Sequence, residues 1–383
     1  MRVVIIGGGF AGVAAAKQVF NQLPFDKKVE IILIDKNKYS TMLPSLPDVS
    51  GNRVEEKFIM EDIEKMLPKA IKFINKSVDF VDFHKKTIFM KEKELTYDYL
   101  IFSPGSKSNF FNHDEEFQKN LKLDCLEDAL RIRKEFGASL IKRPKLNLVI
   151  SGAGFTGIEL ACNLYHYAKV NKGQITITLI EKAERILPML SQKMSKFVLD
   201  KMKLMNINFI TGEEVISFEK NVVKLKNKGE IQDAFFCWCS GVKMSIKAVG
   251  NHKGLFDGRI IVDEFLRVPE HLEVFVAGDA AAIKSGETYL RRTVNFAYEA
   301  GKVCGKNVVA TIEEEKLKPF KAVDLGWVIP IYISSIGMAL GMETKGRLGI
   351  TMHYVMCGLK NYNLRNFLKY LKYAFTFVFT KVE

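Results

Sequence analysis

The chain has 383 residues, of which 48% are hydrophobic and 26% charged, so it is long enough for about two or three globular domains with a sizeable core. It contains no run of 18 apolar residues, which excludes a membrane-spanning helix, and its six cysteines without a CxxC pair exclude a disulfide scaffold. The net charge of +13 indicates an anionic partner, such as a nucleic acid, an acidic membrane surface or a phosphate-bearing ligand.

A glycine-rich turn lies between two predicted strands near the start of the chain. The sequence enters the first strand, residues 3–6, directly, so we expect no secretory signal. The run GGGFAG follows at residues 7–12, then small residues that predict a helix, and then an apolar run at 31–34 that ends at Asp35. Glycines let the backbone turn sharply and let a pyrophosphate approach the amides at the helix N-terminus. The pattern predicts a dinucleotide site whose acid accepts hydrogen bonds from ribose hydroxyls.

The same pattern occurs again in the middle of the chain. A strand at 148–150 leads into GAGFTG at 152–157, a helix follows, and a second strand at 175–180 ends at Glu181. The last glycine precedes the acid by 23 positions in the first copy and by 24 in the second. Glycine turns that merely pack a helix on a sheet do not explain the two acids. Two dinucleotide sites in one chain suggest electron transfer between a flavin and a nicotinamide.

Two further segments fit a flavin site. Residues 97–106 form a strand that enters a tight turn, and residues 274–281 form a buried strand followed by Gly278, Asp279 and small residues. A carboxylate at Asp279 can hold the ribityl chain of a flavin whose pyrophosphate lies over the first glycine turn. An ordinary strand end explains either segment in isolation, but beside the paired loops we assign both to the flavin.

Together these segments resemble the two-dinucleotide-binding-domain flavoproteins, and within them the type II NADH:quinone dehydrogenases, over nearly the whole chain. The resemblance implies an α/β fold with two Rossmann-like domains in a glutathione-reductase-like FAD/NAD(P) arrangement, and a C-terminal amphipathic membrane-docking segment. The motifs that support it, besides the glycine loops, are residues 103–105, 109–111, 126–133, 154–161, 179–188, 238–242 and 277–279.

The resemblance implies FAD on the first domain and NADH on the second. It places FAD at Gly7, Gly9, Phe10, Ala11, Gly12, Asp35, Lys36, Pro44, Val78, Ser103, Gly105 and Asp279. It places NADH at Gly152, Gly154, Thr156, Gly157, Glu159, Glu181 and Gly241. The order of the motifs makes the second domain an insertion: an FAD-binding domain at 1–111 and 251–312, an NADH-binding domain at 112–250, and a C-terminal segment at 313–383.

The chemistry that the resemblance implies is hydride transfer from NADH to FAD, then transfer of two electrons to a membrane quinone without proton pumping. Glu159 is the candidate for aligning the nicotinamide or supporting proton movement; the alternative is a simple helix N-terminal carboxylate. Asn295 and Glu299 are candidates for the quinone side; the alternative is a helix that only packs. The family carries an Ala-Gln pair where this chain has Val294 and Asn295, and a third glycine where it has Ser151.

The end of the chain predicts an amphipathic helix. Basic residues at 365, 369 and 372 share one face, and a basic side with aromatic anchors is typical of a helix that lies on an anionic membrane. A helix packed on the core is the alternative. We expect a peripheral protein on the cytoplasmic face of the inner (plasma) membrane, and a homodimer stays open. The apolar residues, at three- and four-residue steps, are Leu364, Phe367, Leu368, Leu371, Phe375 and Val378.

Three other functions share parts of these patterns. Sulfide:quinone oxidoreductases need two cysteines that bridge at the flavin, one of them near the segment matching 320–327, where this chain has none. Disulfide reductases need a CxxxxC pair in the stretch 39–51, which contains no cysteine. A low-turnover NADH-sensing flavoprotein of the apoptosis-inducing-factor type stays open, since both ribose acids suit it equally.

The sequence indicates neither a metal site nor a nucleic-acid site. The six histidines form no HExxH or clustered ligand set, and the basic residues are spread along the chain without an aromatic-interleaved basic motif. The quinone species and the oligomeric state stay open. Use of NADPH also stays open, because Lys182 and Arg185 follow Glu181 closely.

Overall fold

The computed structural model describes residues 1–24, 28–111, 113, 117–250, 254–339 and 341–379, the last three of these by their backbone alone. The chain folds into two compact units. The first comprises residues 1–40, 60–107 and 243–324, and the second comprises residues 41–59, 108–242 and 325–383. The domain bounds expected from the sequence stay a prediction.

The first unit is built on a six-stranded sheet in which five neighbouring strands run parallel. The central strand pairs on both sides, with Val4 opposite Ile32 and Leu100, and all three side chains are buried. Burial of both faces explains why these strands are nearly continuous apolar runs. In spatial order the strands are Arg267–Val268, His271–Val276, Tyr99–Phe102, Arg2–Ile6, Glu30–Asp35 and Ile71–Asn75.

Two helices of the first unit pack together through glycines. Helix Phe10–Gln22 lies against helix Val294–Ile312, and a Cβ at Gly301 would lie 2.1 Å from the carbonyl oxygen of Ala11. The close approach depends on small residues, which explains the alanine-rich sequence after the first loop. The unit also contains helix Ile63–Met66 and strands Met60–Asp62, Phe80–Asp82, Thr87–Met90, Lys93–Thr96, Lys247–Val249, Leu255–Phe256, Arg259–Ile261, Ala281–Ala282, Lys284–Ser285 and Thr288–Tyr289.

The second unit contains a fully parallel five-stranded sheet with the second glycine loop at the end of its middle strand. Helices Leu126–Lys142, Phe155–Val170 and Gln192–Lys203 accompany this sheet, and strands Val215–Glu219, Val222–Leu225 and Glu230–Ile231 form an antiparallel extension. In spatial order the parallel strands are Leu121–Lys122, Ala234–Trp238, Leu146–Ser151, Ile175–Glu181 and Ile207–Thr211. Three short strands, Tyr39–Thr41, Ser106–Ser108 and Val242–Met244, straddle the limits of the two units.

The C-terminal part of the second unit is an antiparallel sheet followed by two helices. The sheet comprises Gly326–Ile331, Ser334–Ala339 and Met342–Lys345. We call Arg347–Leu359 the penultimate helix and Leu364–Phe379 the C-terminal helix. Between residues 41 and 59 the unit also holds helix Leu46–Ser50 and the 3₁₀ turns Leu43–Ser45 and Glu56–Phe58.

The C-terminal helix packs with one face and exposes another. Asn366, Tyr370 and Ala374 are buried at four-residue steps. Leu364, Leu368 and Phe375 are 70%, 55% and 57% exposed. The predicted helix is therefore present, and three residues of its predicted apolar face are exposed rather than packed on the unit. Among the helices within the described residues, none is both long and apolar enough to cross a membrane.

Candidate functional site

The first glycine loop closes tightly between strand Arg2–Ile6 and helix Phe10–Gln22. Gly7 has a φ of +101°, a conformation that L-residues rarely adopt. A Cβ at Gly12 would lie 1.7 Å from the carbonyl oxygen of Gly7, so only glycine fits there. The loop therefore depends on glycine at both positions, and Phe10 begins the helix half-buried.

Asp35 ends the neighbouring strand and contacts this loop directly. Its carboxylate accepts hydrogen bonds from the backbone N–H of Gly8 at 2.6 Å and of Asn37 at 2.7 Å. Burial raises the pKa of Asp35, and the two N–H donors oppose that rise because they favour the charged form. The structure thus brings together the loop and the acid that the spacing predicts.

The second loop repeats this geometry in the second unit. Gly152 has a φ of +96°, and a Cβ at Gly157 would lie 2.0 Å from the carbonyl oxygen of Gly152. Glu181 accepts hydrogen bonds from the backbone N–H of Ala153 at 2.9 Å and of Ala183 at 3.0 Å. Each loop therefore has its own acid, held by one N–H of the loop and one N–H just beyond the strand.

Both loops fit a bound pyrophosphate. The N-caps of the two helices are Gly9 and Gly154, which have no side chain to satisfy the N–H groups of the first turn. A Cβ built at either residue meets no atom within 4 Å, so the backbone is open to close approach. Free N–H groups at the positive end of a helix bind anionic groups. The residues present therefore suit a dinucleotide in each unit.

The predicted flavin turn lies beside the first loop. Ser103 Oγ donates to the carbonyl oxygen of Ile6 at 2.8 Å, and Gly105 has a φ of +73°. Asp279 comes directly after Gly278, in the turn that follows strand His271–Val276. Its carboxylate accepts a hydrogen bond from Ser106 Oγ at 2.7 Å. The turn at 103–106 and the Gly-Asp pair, which are about 170 positions apart, therefore converge as the sequence predicts.

Asn295 and Glu299 lie one turn apart on helix Val294–Ile312. The Asn295 side-chain amide donates to the carbonyl oxygen of Val323 at 2.9 Å, and Glu299 pairs with Lys302 at 3.3 Å. Asp324, next to Val323, pairs with Arg291 at 2.7 Å. The amide that stands in place of the family's glutamine therefore holds the segment before residue 325 against the start of the helix.

Glu159 lies in the second turn of the second loop's helix. Burial raises the pKa of its carboxyl group well above the usual value, and the charge of Asp48 raises it further. Glu159 therefore holds a proton to higher pH than an exposed glutamate does.

The sequence reasoning missed Asp48 and its partner. Asp48 is 2% exposed in helix Leu46–Ser50, and its carboxylate accepts a hydrogen bond from the Tyr354 hydroxyl at 2.9 Å. An acid that interrupts the apolar run 46–49 was the available signal. Its partner, 306 positions later in the chain, gave none.

The other predicted cofactor residues differ in burial and in the unit to which they belong. In the first unit Ala11 and Val78 are buried and Lys36 is exposed, whereas Pro44 belongs to the second unit. In the second unit Thr156 is exposed at the start of its helix.

The motifs at 109–111 and 238–242 meet in the second unit. Trp238 Nε1 donates to the carbonyl oxygen of Asn109 at 3.1 Å, and the Asn109 N–H donates to that of Gly241 at 3.2 Å. A Cβ at Gly241 would lie 2.5 Å from the Phe111 ring, so glycine is required for this contact.

Comparison with known protein families decides the family. Residues 1–302 match the model of the pyridine nucleotide-disulphide oxidoreductases, a span that includes both glycine loops and the Gly-Asp pair. The chain belongs to this family. Membership confirms the predicted α/β fold.

Curated and solved proteins also resemble the chain. Type II NADH:quinone oxidoreductase of Haemophilus influenzae is 28% identical over 86% of this chain and 84% of its own length. That of Staphylococcus haemolyticus is 25% identical over 93% and 94%. NDH2 from Plasmodium falciparum in complex with NADH superposes with a TM-score of 0.83 at 19% identity, covering 99% of this chain and 98% of that one. The sulfide:quinone oxidoreductase of Aquifex aeolicus gives 0.77 at 21%, covering 100% and 96%.

The cysteines of this oxidoreductase are all free thiols. Burial raises the pKa of Cys125, Cys162 and Cys239 to about 12. A thiol with a raised pKa is a poor nucleophile at neutral pH, so these three side chains are not reactive thiolates.

Two basic residues that follow Glu181, Lys182 and Arg185, both interact with protein groups. Lys182 pairs with Glu214 at 3.2 Å. Arg185 donates to Ser195 Oγ and to the carbonyl oxygens of Pro188 and Leu190, and so fixes the loop that follows Glu181. Arg185 is therefore a structural residue of this oxidoreductase.

Proposed function

We propose that this oxidoreductase is a type II NADH:quinone oxidoreductase, which transfers a hydride from NADH to FAD and then two electrons to a membrane quinone. The observation that supports this most directly is the pair of glycine loops of equal geometry, each with its own acid. The curated relatives that carry this name match the chain over most of their own length. The flavin, when bound, supplies the reversible acceptance of a hydride.

The two loops have separate roles in this proposal. The amides at Gly9 hold the FAD pyrophosphate, Asp35 binds the adenosine ribose, and Asp279, Ser103 and Gly105 hold the flavin end. In the second unit, the amides at Gly154 hold the NADH pyrophosphate and Glu181 binds the ribose. The same N–H donors that fix Asp35 and Glu181 keep both carboxylates oriented.

Glu159 supplies the proton that quinone reduction consumes, which its raised pKa supports. Asn295 and Glu299 lie at the edge of the site on the quinone side of the flavin in this proposal. Because the Asn295 amide holds the Val323 carbonyl group, we assign it to shaping this side through residues 321–324 rather than to direct contact with a quinone.

Steady-state reduction of ubiquinone-1 and of menadione, compared side by side with NADH and with sulfide as the electron donor, tests the function. We expect NADH to bleach the flavin rapidly and either quinone to restore its colour. Reduction of the flavin by sulfide would favour a sulfide:quinone oxidoreductase, whose fold the chain shares. A charge-transfer complex that persists for minutes with quinone present would contradict turnover and favour an NADH sensor.

A Glu181→Ala variant tests the ribose assignment. The carboxylate accepts hydrogen bonds from ribose hydroxyls and repels a 2′-phosphate, so we expect KM for NADH to rise about tenfold and the NADPH/NADH activity ratio to rise with it. Glu219→Ala, which removes an exposed carboxylate of the same unit, is the matched control. An unchanged NADPH/NADH ratio in Glu181→Ala would refute the assignment.

We further propose that the C-terminal helix docks on the cytoplasmic face of the inner membrane. Its exposed residues Leu364 and Leu368 line an open groove of about 500 Å³ with Phe58, bordered by Arg365, Lys369 and Lys372. The Lys369 ammonium group lies 4.7 Å from the centre of the Phe58 ring. Apolar side chains beside basic ones suit a surface of anionic lipid. The homodimer stays a prediction, to be tested by analytical ultracentrifugation.

A triple variant, Leu364→Ser, Leu368→Ser and Phe375→Ser, tests this docking without removing the helix. The three side chains are exposed, whereas the buried Tyr370 and Ala374 keep the helix in place. Each loses about 1–2 kcal/mol of apolar transfer energy, so binding to vesicles with anionic lipid should fall at least about tenfold while FAD stays bound. Ile141→Ser, which changes a residue 90% exposed elsewhere in the unit, should bind like the native protein. Unchanged vesicle binding of the triple variant would contradict docking by this helix.

A further inference from the structure

A cluster of buried polar side chains surrounds helix Leu46–Ser50 in the second unit, and the proposed function leaves most of it unexplained. Asp48 is 2% exposed and Tyr354 is 1% exposed. Burial of charged and hydroxyl groups lowers the stability of the fold unless they are paired, so their position in a core indicates a specific role. The other buried members are Ser45, His353, Cys357 and Tyr370.

The penultimate and C-terminal helices both bond to this short segment. The Tyr354 hydroxyl group donates a hydrogen bond to the Asp48 carboxylate at 2.9 Å. The hydroxyl groups of Ser45 and Tyr370 form a second hydrogen bond at 2.7 Å. Cys357 Sγ lies 3.9 Å from His353 Nε2, one turn along the same helix. Asp48 is therefore fixed from the C-terminal side by a direct donor.

The opposite side of the segment packs on the helix that carries Glu159. A Cβ at Gly51, three residues after Asp48, would lie 2.6 Å from the carbonyl oxygen of Asn163. The Asn163 side-chain amide in turn donates to the carbonyl oxygen of Glu159 at 3.0 Å. The backbone contact at Gly51 thus brings the Asp48 segment directly against the turn that holds Glu159.

The two carboxyl groups act on each other electrostatically. The Asp48 charge raises the pKa of Glu159 beyond the effect of burial. Burial, then Asp48 and then Glu159 raise the pKa of the Cys357 thiol, which places the three groups in one neighbourhood. Arg53 is the cation that acts on this cluster: it lowers the pKa of His353, after burial, and opposes the rise for Tyr354.

We propose that Asp48 and Glu159 form an electrostatically coupled pair of carboxyl groups, and that Asp48 controls the proton transfer from Glu159 during quinone reduction. This rests on the proposed role of Glu159. The overall reaction, NADH + H⁺ + quinone → NAD⁺ + quinol, takes one proton from solvent. Glu159 gives that proton up and regains one from solvent in each turnover. Asp48 is thus a positioning residue that acts through Glu159.

Asp48→Asn tests the pair because asparagine keeps an acceptor for the Tyr354 hydroxyl and removes only the charge. The protonated form of Glu159 is the active one, so quinone reduction falls as pH rises through its pKa. Loss of the neighbouring negative charge lowers that pKa. We therefore expect the high-pH fall in kcat to move at least about one pH unit lower. An unmoved pH profile would overturn the proposal.

Infrared spectroscopy gives a readout that needs no turnover. The carbonyl band of a protonated carboxyl group, assigned by its loss in Glu159→Gln, is followed as pH rises. We expect the band to vanish at lower pH in Asp48→Asn than in the native protein. Equal midpoints would contradict the coupling. If the native protein fails to reduce quinones, the proposed function falls, but the infrared midpoints still decide whether the pair exists.

Two further variants separate charge from structure. Ser45→Ala removes the other buried hydroxyl bond to the C-terminal side and leaves both carboxyl groups, so its midpoint should match the native one. Tyr354→Phe removes the donor that orients the Asp48 carboxylate, so the coupling to Glu159 weakens and the midpoint should fall by a smaller amount. The Tyr354→Phe result tests the proposal even if Asp48→Asn fails to fold. Equal shifts in Ser45→Ala and Asp48→Asn would mean that loosened packing, not charge, moves the proton.

Discussion

A Gly12→Val variant should be purified without flavin. Any Cβ at this position would lie 1.7 Å from the carbonyl oxygen of Gly7, so the loop has to open before the helix can form. Such a clash costs about 3 kcal/mol or more, which lowers FAD affinity more than about a hundredfold. The measurement is the ratio of flavin absorbance to protein, with circular dichroism to verify the fold.

Gly9→Ala is the matched control for this loop. The added methyl group meets no protein atom within 4 Å, so the fold and the melting temperature of the apoprotein should match those of the native apoprotein. It does point into the space assigned to the pyrophosphate, so FAD should bind more weakly even though the apoprotein is intact. A yellow Gly12→Val protein with a full complement of FAD would contradict the assignment of the first loop.

A Gly157→Val variant should be purified yellow and fail to be bleached by NADH. Here a Cβ would lie 2.0 Å from the carbonyl oxygen of Gly152, so the same clash disrupts the second loop only. We expect kcat/KM for NADH to fall at least about a hundredfold. Anaerobic stopped-flow spectroscopy of the flavin band measures the first half-reaction directly.

Dithionite completes this experiment. Because the first loop is untouched, dithionite should still reduce the flavin of Gly157→Val, and a quinone should then reoxidise it. Gly154→Ala, whose methyl group meets no protein atom, should keep the fold and raise KM for NADH. Normal bleaching of Gly157→Val by NADH would mean that the nicotinamide binds elsewhere. Together the two valine variants assign one dinucleotide to each loop.

The two loops could be predicted because their information is local. Gly7, Gly12 and Asp35 fall within one strand–turn–helix–strand unit, and each requirement, a left-handed φ or a missing Cβ, concerns atoms of that unit. The buried parallel strands could be predicted for the same reason, since strands covered on both faces are continuous apolar runs in the sequence. Family membership then confirmed the predicted fold.

Other features depended on contacts that no local pattern encodes. The C-terminal helix was predicted, but its buried residues Asn366, Tyr370 and Ala374 were not, because one group that Tyr370 contacts, the Ser45 hydroxyl, lies more than 300 positions earlier. Arg185 suggested a phosphate ligand by its position, yet its guanidinium group is taken up by Ser195 and two carbonyl oxygens. Local sequence states what a side chain can bind, and the tertiary structure decides which partner it has.

The sequence by itself determined the two nucleotide loops, their acids and the order of the motifs, because glycine geometry and strand periodicity act over about thirty residues. Only the tertiary structure placed Asp48 beside Tyr354 and packed its segment on the helix of Glu159. The physical reason is that the coupling of buried charges depends on distance in space and on exclusion of water, and chain separation says nothing about either.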